Sequence, residues 1–108
     1  MSIDLPRPIE IYLRAENSGD VTLLAECFLP DATVRDERHL HSGLAAIQDW
    51  KAETKRKYRH TVEPLALSRR DGETILAAKV AGDFPGSPVT LDFRFTLEGE
   101  KIKALEIG

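Results

Sequence analysis

The sequence has one cysteine, Cys27, among its 108 residues, so no disulfide can form within the chain. Cys27 lies in an apolar helical pattern, where a thiol behaves as a small hydrophobic group. We therefore predict a buried, inert thiol rather than a reactive one.

Long apolar runs and an excess of positive charge are also missing. No apolar run approaches the roughly 18 residues that a membrane-spanning helix needs. The N-terminus lacks the basic region followed by an apolar region that marks a secretory signal. The net charge is −3, whereas a nucleic-acid-binding domain is usually basic. These absences predict a cytoplasmic protein that interacts with neither membranes nor nucleic acids.

The composition is that of a folded domain, with 42% hydrophobic and 31% charged residues. A chain of this length supplies one hydrophobic core and has no room for a second. We therefore expect residues 1–108 to form a single domain.

The first half of the chain predicts three helices. Pro6 and Pro8 suit the first turn of a helix that stops at Gly19. A second helix begins with Asp20 as its N-cap and ends before Pro30, and Ser42 can cap a third. Their inner stripes are Ile9, Tyr12, Leu13 and Glu16; Val21, Leu24, Ala25 and Phe28; and Leu44, Ile47, Trp50, Lys51, Thr54 and Tyr58.

A short strand precedes the third helix and carries an acid on its apolar side. Residues 32–36 alternate, so Ala32 and Val34 share a face with Asp36. Small apolar residues face a core, and Asp36 must then point inward with them. A polar hairpin connection that contains Arg38, His39 and His41 follows this strand.

After His60 the hydrophobic period changes to two, which predicts three or four further strands. These are Thr61–Arg70, Glu73–Asp83, Val89–Leu97 and Lys101–Ile107. Asp71-Gly72 is a strong hairpin signal, and Glu98-Gly99-Glu100 is a second, looser one. In the third strand, Leu91, Phe93 and Phe95 share the apolar face. Helices followed by antiparallel strands predict an α+β fold.

Four segments carry a resemblance to a known family: Asn17-Ser-Gly-Asp20, Phe28-Leu-Pro-Asp-Ala-Thr-Val34, Ser42-Gly43, and Phe93-Arg-Phe95. The sequence resembles the nuclear transport factor 2-like superfamily, which includes SnoaL-like polyketide cyclases and ketosteroid isomerases. The resemblance implies a cone-like, curved antiparallel sheet packed on three N-terminal helices, with one internal pocket. It also implies a homodimer through the outer sheet face, which carries Thr90, Asp92, Arg94 and Thr96.

The ketosteroid isomerases suggest catalytic roles for two residues. Asp36 matches their carboxylate base, and Tyr12 matches the tyrosine that donates a hydrogen bond to the developing oxyanion. Their second oxyanion donor, an aspartic acid, corresponds to Leu91 here, so one of the two donors is absent. We expect the pocket to bind a small hydrophobic molecule without a cofactor. Its predicted lining is Phe28, Val34, His41, Trp50, Leu91, Phe93 and Phe95.

Each of these assignments has a structural alternative. Asp36 could cap the adjacent turn or pair with a nearby basic residue, and Tyr12 could be a core tyrosine whose hydroxyl reaches the surface. His39 and His41 could bind a metal with Asp36, but we expect solvated hairpin histidines and no metal. We expect His60 to lie at the surface or to cap a helix. The basic run 51–59 is expected to be a solvated helix end.

Two functions follow from these expectations. The first is an enzyme that performs acid–base chemistry on a small hydrophobic carbonyl compound, with Asp36 moving the proton and Tyr12 stabilising the oxyanion. The second is a non-catalytic module that binds an apolar ligand or dimerises. A second polar group that converges on Asp36 would distinguish the enzyme from the binding module.

Overall fold

A computed structural model of the chain describes residues 3–108. The first two residues, which belong to the N-terminus where the sequence shows no secretory signal, lie outside the described residues. The helices are α1 (Arg7–Ser18), α2 (Leu24–Cys27) and α3 (Leu44–Tyr58), with a 3₁₀ turn at Val21–Leu23. The strands are β1 (Phe28–Asp36), β2 (His39–Ser42), β3 (Thr61–Arg70), β4 (Glu73–Ala81), β5 (Val89–Glu98) and β6 (Lys101–Ile107). Within residues 3–108, no helix is long and apolar enough to cross a membrane.

The first helix has the limits that its sequence predicts. Pro8 stands in its first turn, and Gly19 ends it in the left-handed conformation with φ of 78°. The Gly19 N–H donates to the carbonyl of Ala15 at 3.0 Å, which satisfies one of the last carbonyls of the helix. Its inward stripe, including Ile9 and Tyr12, is fully buried.

The predicted second helix is wrong in its extent. A 3₁₀ turn replaces its start, with the Asp20 side chain accepting from the Thr22 N–H at 3.0 Å. The α-helical part ends at Cys27, and Phe28 already belongs to β1, where it pairs with Ile102 of β6. Pro30 explains the difference, because the residue before a proline is forced toward extended backbone.

The predicted polar connection after Asp36 contains a strand. β2 pairs antiparallel with β1, and Asp36 lies opposite His39. Glu37 and Arg38 form the two-residue turn, both with positive φ, of 51° and 67°. The predicted cap by Ser42 is also wrong. Ser42 pairs in β2, and Gly43 stands at the start of α3 with φ of 88°, a conformation that glycine adopts without strain.

The sheet is mixed rather than wholly antiparallel. Its order is β2-β1-β6-β5-β4-β3, and β1 and β6 are parallel while every other neighbouring pair is antiparallel. The single parallel pair arises because α3 carries the chain across the sheet before the meander of β3 to β6 begins. The last strand of the meander then runs beside β1 in the same direction.

The four later strands closely follow the predicted ones, and β4 ends two residues early, at Ala81. Asp71 and Gly72 form the predicted β3–β4 turn, both with positive φ. Phe93 and Phe95 of β5 are buried on the inner face, whereas Thr90 and Arg94 are exposed on the outer face. The helices cover the inner face, since α1 contacts β3 and β6, and α3 contacts β1 and β2. The fold is therefore α+β, with three helices on one side of a curved sheet.

Candidate functional site

A cavity of about 240 Å³ lies between α3 and the inner face of the sheet. Much of its wall comes from β3 to β6 and from the segment between β4 and β5. Its aliphatic and phenyl lining consists of Val62, Val80, Phe84, Val89, Leu91, Phe93 and Ile107. The cavity is partly open to solvent, and most of its wall is apolar.

Asp36 lies in the wall of this cavity, at the C-terminal end of β1. The indole N–H of Trp50, on α3, donates to Asp36 Oδ2 at 3.1 Å. Among residues 3–108, Trp50 is the only side chain that donates a hydrogen bond to this carboxylate. No cationic side chain of these residues lies within ion-pair distance of the carboxylate. Partial burial raises the pKa of Asp36, although the Trp50 hydrogen bond opposes the rise.

A second acid of the cavity, Glu16, lies in a buried cluster of polar side chains. Glu16 Oε1 is 2.7 Å from Lys51 Nζ and 2.7 Å from His60 Nε2, and Glu16 Oε2 accepts the hydroxyl hydrogen of Tyr12. Glu16 and Lys51 are almost fully buried. Elements distant in sequence supply the four side chains: α1 supplies two, α3 one, and the residue before β3 the fourth.

The pKa of Glu16 is lowered by its surroundings, whereas the pKa of Asp36 is raised by its own. Burial by itself raises the pKa of Glu16, but Lys51 and His60 outweigh burial and lower this pKa to about 2. The adjacent phenol responds accordingly, since burial and the Glu16 charge raise the pKa of Tyr12 well above 10. Glu16 is therefore a fixed anion, whereas Asp36 is the acid whose surroundings favour proton uptake.

Lys51 reaches the cluster across the face of Trp50. Its Nζ lies 3.8 Å from the centroid of the indole ring and 6.0 Å from the centroid of the Tyr12 ring. A cation above an aromatic face is stabilised by the ring quadrupole. Trp50 thus contacts Asp36 through its N–H edge and Lys51 through its face, so one ring separates a carboxylate from an ammonium group.

Close backbone packing places His60 in the cluster. A Cβ added to Gly82 would lie 2.7 Å from the carbonyl oxygen of Tyr58 and 2.8 Å from His60 Cα. Only glycine allows this approach of β4 to the turn between α3 and β3. Because the ionised Glu16 can only accept hydrogen bonds, His60 Nε2 carries the hydrogen. Its Nδ1 has no hydrogen-bond partner among the described residues.

Comparison with solved structures identifies the fold family. A candidate polyketide cyclase from Sinorhizobium meliloti is 40% identical, with a TM-score of 0.93 over 100% of this chain and 99% of that chain. This chain belongs to the nuclear transport factor 2-like superfamily, in its SnoaL-like group. Comparisons with protein-family profiles and with curated proteins give no match.

Two more distant structures share the SnoaL-like fold. A Catenulispora acidiphila protein with a ketosteroid isomerase-like fold, solved with trimethylamine, is 20% identical, with a TM-score of 0.83 over 97% of this chain and 86% of that chain. A candidate SnoaL-like polyketide cyclase from Jannaschia is 15% identical, with a TM-score of 0.74 over 100% of this chain and 90% of that chain. At these identities the likeness concerns the fold alone.

Some of the residues predicted to line the pocket do line this cavity, and others do not. Trp50, Leu91 and Phe93 line the cavity together with Asp36. The other predicted lining residues lie elsewhere: Phe28, Val34 and Phe95 are fully buried in the core, and His41 lines a neighbouring cleft. Residues that share the inner face of a curved sheet divide between core and cavity according to which part of the sheet the helices cover.

Tyr12 is fully buried and does not line the cavity. Its ring packs edge-on against Phe28 and Phe95, with centroid distances of 5.9 and 5.5 Å. Its hydroxyl donates to Glu16. The expected hydrogen bond from Tyr12 to a ligand stays a prediction, and in this arrangement the hydrogen already has an acceptor.

Sequence reasoning missed the three charged or imidazole groups of the cluster. His60 is buried rather than at the surface, and Lys51 is buried rather than part of a solvated helix end. The available signal was that Glu16 and Lys51 each occupy an otherwise apolar helical stripe. A charge in such a stripe must find a partner. No local pattern marks His60.

The two hairpin histidines contribute to the cleft beside the cavity. His39 and His41 line it with Asp36 and Trp50, and the His41 ring lies 5.7 Å from the Trp50 ring between centroids. Within residues 3–108, no three side chains of His, Cys, Asp or Glu come together as a metal site requires. The cavity and the adjoining cleft thus bring together a carboxylate, an ammonium group and an apolar wall.

Proposed function

We propose that this SnoaL-like protein catalyses a cofactor-free proton transfer on a small hydrophobic carbonyl compound, with Asp36 as the base. The observation that supports this most is the position of Asp36: a carboxylate in an apolar cavity wall, held by one N–H and not neutralised by a cation. A carboxylate in such a place is a stronger base than one in water, because burial raises its pKa.

The proposed step begins with the ionised Asp36 taking a proton from the carbon next to the ligand carbonyl. The C–H bond breaks, its electron pair forms a carbon–carbon double bond, and the negative charge moves to the oxygen. Asp36 then returns the proton to another carbon, or the enolate carbon attacks a second carbonyl carbon of the same molecule and closes a ring. In the second case the C=O π electron pair moves to that carbonyl oxygen, which takes the proton from Asp36. The Trp50 N–H fixes one carboxylate oxygen. The other oxygen remains for the substrate.

The relatives support this reaction class without naming a substrate. The Sinorhizobium and Jannaschia proteins are described as candidate polyketide cyclases, and the Catenulispora protein has an isomerase-like fold. Cyclisation and isomerisation of carbonyl compounds both begin with removal of a proton next to a carbonyl. The proposal therefore covers this shared first step.

The test uses a small β,γ-unsaturated cyclic ketone, whose isomerisation to the conjugated ketone is followed by ultraviolet absorbance. Asp36→Asn removes the base and keeps the shape, so we expect the rate to fall by a factor of about 100 or more. The matched control is Asp92→Asn on the outer sheet face, which should retain the parent rate. A rate that is equal in the parent and in Asp36→Asn would overturn the proposal.

Two observations favour the non-catalytic alternative. Leu91 occupies the cavity wall where the isomerase comparison has a second acid, and the Tyr12 hydrogen is bound to Glu16. In that case the cavity would only bind apolar molecules. The binding module would be supported if calorimetry shows that the ketone binds but the ketone is not isomerised. The hydrogens next to its carbonyl should then also show no Asp36-dependent exchange with deuterium.

We also propose that two copies associate through the outer sheet face. Three residues of alternating charge lie in register across this face, with Glu106 of β6 between Arg35 of β1 and Arg94 of β5. Such a row can pair with its own copy about a two-fold axis. Light scattering should give twice the mass of one chain, and Arg94→Glu should shift the mass toward one chain. Arg14→Glu, on the exposed side of α1, is the matched control.

A further inference from the structure

Three donor groups of the buried cluster share one carboxylate. The Glu16 carboxylate receives hydrogens from three groups: Tyr12, Lys51 and His60. The Lys51 ammonium carries three hydrogens, and Glu16 is the only acceptor that the described residues offer it. One cationic donor, almost completely removed from solvent, therefore has hydrogens without a protein partner.

Lys51 is also part of the cavity wall, although only 2% of its side chain is exposed. A buried ion pair is rarely retained for stability alone, since an apolar pair of similar size packs at least as well. A ligand oxygen with negative charge would supply the missing acceptor.

Lys51 and Asp36 both contact the Trp50 ring, Asp36 at its N–H edge and Lys51 over its face. Asp36 accepts from the Trp50 N–H, and Lys51 Nζ lies 3.8 Å above the face of that ring. Both groups line the same cavity. A carbonyl compound in this cavity that contacts both groups would present its acidic C–H to Asp36 and its oxygen to Lys51.

We propose that Lys51 is a catalytic residue whose ammonium group binds the oxygen of the ligand and stabilises the negative charge that forms there. The inference builds on the proposed proton transfer, but it also assigns an oxyanion site that exists without turnover. When Asp36 takes the proton, the C–H electron pair moves toward the carbonyl and the charge appears on the oxygen beside Lys51. Lys51 remains an ammonium ion throughout, as Glu16 compensates its charge.

This assignment provides a donor that the isomerase comparison lacks. Leu91 cannot donate a hydrogen bond, and the hydroxyl of Tyr12 is directed to Glu16. Lys51 therefore takes the role expected of Tyr12, and Tyr12 becomes a positioning residue that holds the Glu16 carboxylate. An anion-stabilising donor in a site of low polarity is worth more than the same donor in water.

The test measures binding of para-nitrophenol, whose ionised form absorbs visible light, and of its neutral methyl ether, para-nitroanisole. Every protein in this test carries Asp36→Asn. The asparagine imitates the uncharged Asp36 that exists after proton uptake, and it removes the repulsion between the Asp36 carboxylate and a phenolate. We expect this background to prefer the phenolate over the ether by about tenfold or more, since hydrogen bonds between charged groups are the stronger ones.

The decisive variant is Lys51→Met, which keeps the length of the side chain and removes the charge. The preference for the phenolate should disappear, while ether binding changes by no more than about twofold. Lys79→Met, the same change on the exposed outer face, should keep the preference, as should Tyr12→Phe. If Lys51→Met keeps the preference, or if the background itself has none, the assignment of Lys51 is wrong. If Tyr12→Phe alone removes it, Tyr12 is the donor.

Two further measurements keep the test valid if Lys51→Met does not fold. The double change Glu16→Gln with Lys51→Met removes both charges together and should also lack the preference. Nitrogen NMR of the lysine-labelled background needs no change at Lys51: the phenol should shift the Nζ signal of Lys51 and leave that of Lys79 unchanged. An unshifted Lys51 signal at saturating phenol would overturn the proposal.

Failure of this proposal differs from failure of the proton transfer. Asp36-dependent isomerisation without a phenolate preference would leave Asp36 as the base and remove Lys51 from the reaction. A Lys51-dependent preference without isomerisation would leave an anion-binding site in a protein that does not transfer the proton.

Discussion

Glu16 and Asp36 line the same cavity, yet their surroundings prepare them for opposite tasks. Glu16 accepts three hydrogen bonds, two of them from groups that carry or can carry positive charge, and its pKa is lowered to about 2. Asp36 accepts one hydrogen bond from a neutral indole, and burial raises its pKa. The comparison teaches that the number and charge of the donors, not burial alone, decide which acid can exchange protons.

The first way to break this contrast is to remove the cation from Glu16. Lys51→Met leaves a buried carboxylate without its ion-pair partner, so we expect the free energy of unfolding to fall by about 3–5 kcal/mol at neutral pH. Urea denaturation followed by Trp50 fluorescence measures the change. Lys79→Met is the control and should stay within about 0.5 kcal/mol of the parent. An equally small effect at Lys51 would show that the ion pair is not formed in solution.

Acid should separate the two carboxyl groups in the parent protein. The folded pKa of Glu16 lies below its ordinary value of 4.5, so Glu16 stabilises the fold above pH 4.5 and loses this contribution as pH falls toward about 2. The loss corresponds to about 3 kcal/mol. Urea denaturation at a series of pH values measures it. The double variant Glu16→Gln with Lys51→Met should have a flatter acid limb, and an acid limb as steep as that of the parent would contradict this account.

Filling the space at Gly82 should disturb the Glu16 side only. Gly82→Ala places a methyl group within 2.8 Å of His60 Cα, and a shift of the turn should cost about 1–3 kcal/mol. The His60 ring would move relative to Glu16, and nitrogen NMR should show a changed Nε2 signal. Gly86→Ala is the control: the added methyl group would meet no atom within 4 Å, although the φ of 85° at Gly86 adds local strain. That variant should leave the His60 signal unchanged.

The smallest expected effect is at Asp36, and its sign is opposite to that at Glu16. The folded pKa is raised, so the fold is favoured while Asp36 is protonated. Stability then declines as pH rises through the ordinary value of 3.8 and through the folded pKa. Asp36→Asn should therefore stabilise the protein slightly at pH 7, and Asp92→Asn should not. NMR titration of Asp36 to a value below 3.8 would show an ion pair instead and would contradict the role of Asp36 as the base.

Local patterns predicted most of the fold. The meander from Thr61 to Ile107 follows from period-two alternation and from the Asp71-Gly72 turn. The second helix is shorter than its apolar spacing predicts. The spacing from Val21 to Phe28 fits a helix, but Pro30 requires extended backbone at the residue before it. The parallel pairing of β1 with β6 joins segments about 70 residues apart, and no local signal specifies such a pair.

The candidate site was half predictable. The inward direction of Asp36 follows from its alternation with Ala32 and Val34, and Asp36 lies in the cavity wall. No local pattern predicts the cluster around Glu16, since its side chains come from three segments of the chain that only the folded protein brings together. The position of His60 also depends on Gly82, more than 20 residues away, because a side chain there would collide with the backbone of His60.

The sequence by itself determined the α+β class, the strands of the meander and the direction of Asp36, because periodicity and turn chemistry act over a few residues. Only the tertiary structure decided which polar groups become partners. Hydrogen bonds between buried side chains depend on distances across the whole fold. The difference between a fixed anion at Glu16 and a proton acceptor at Asp36 arises from those distances.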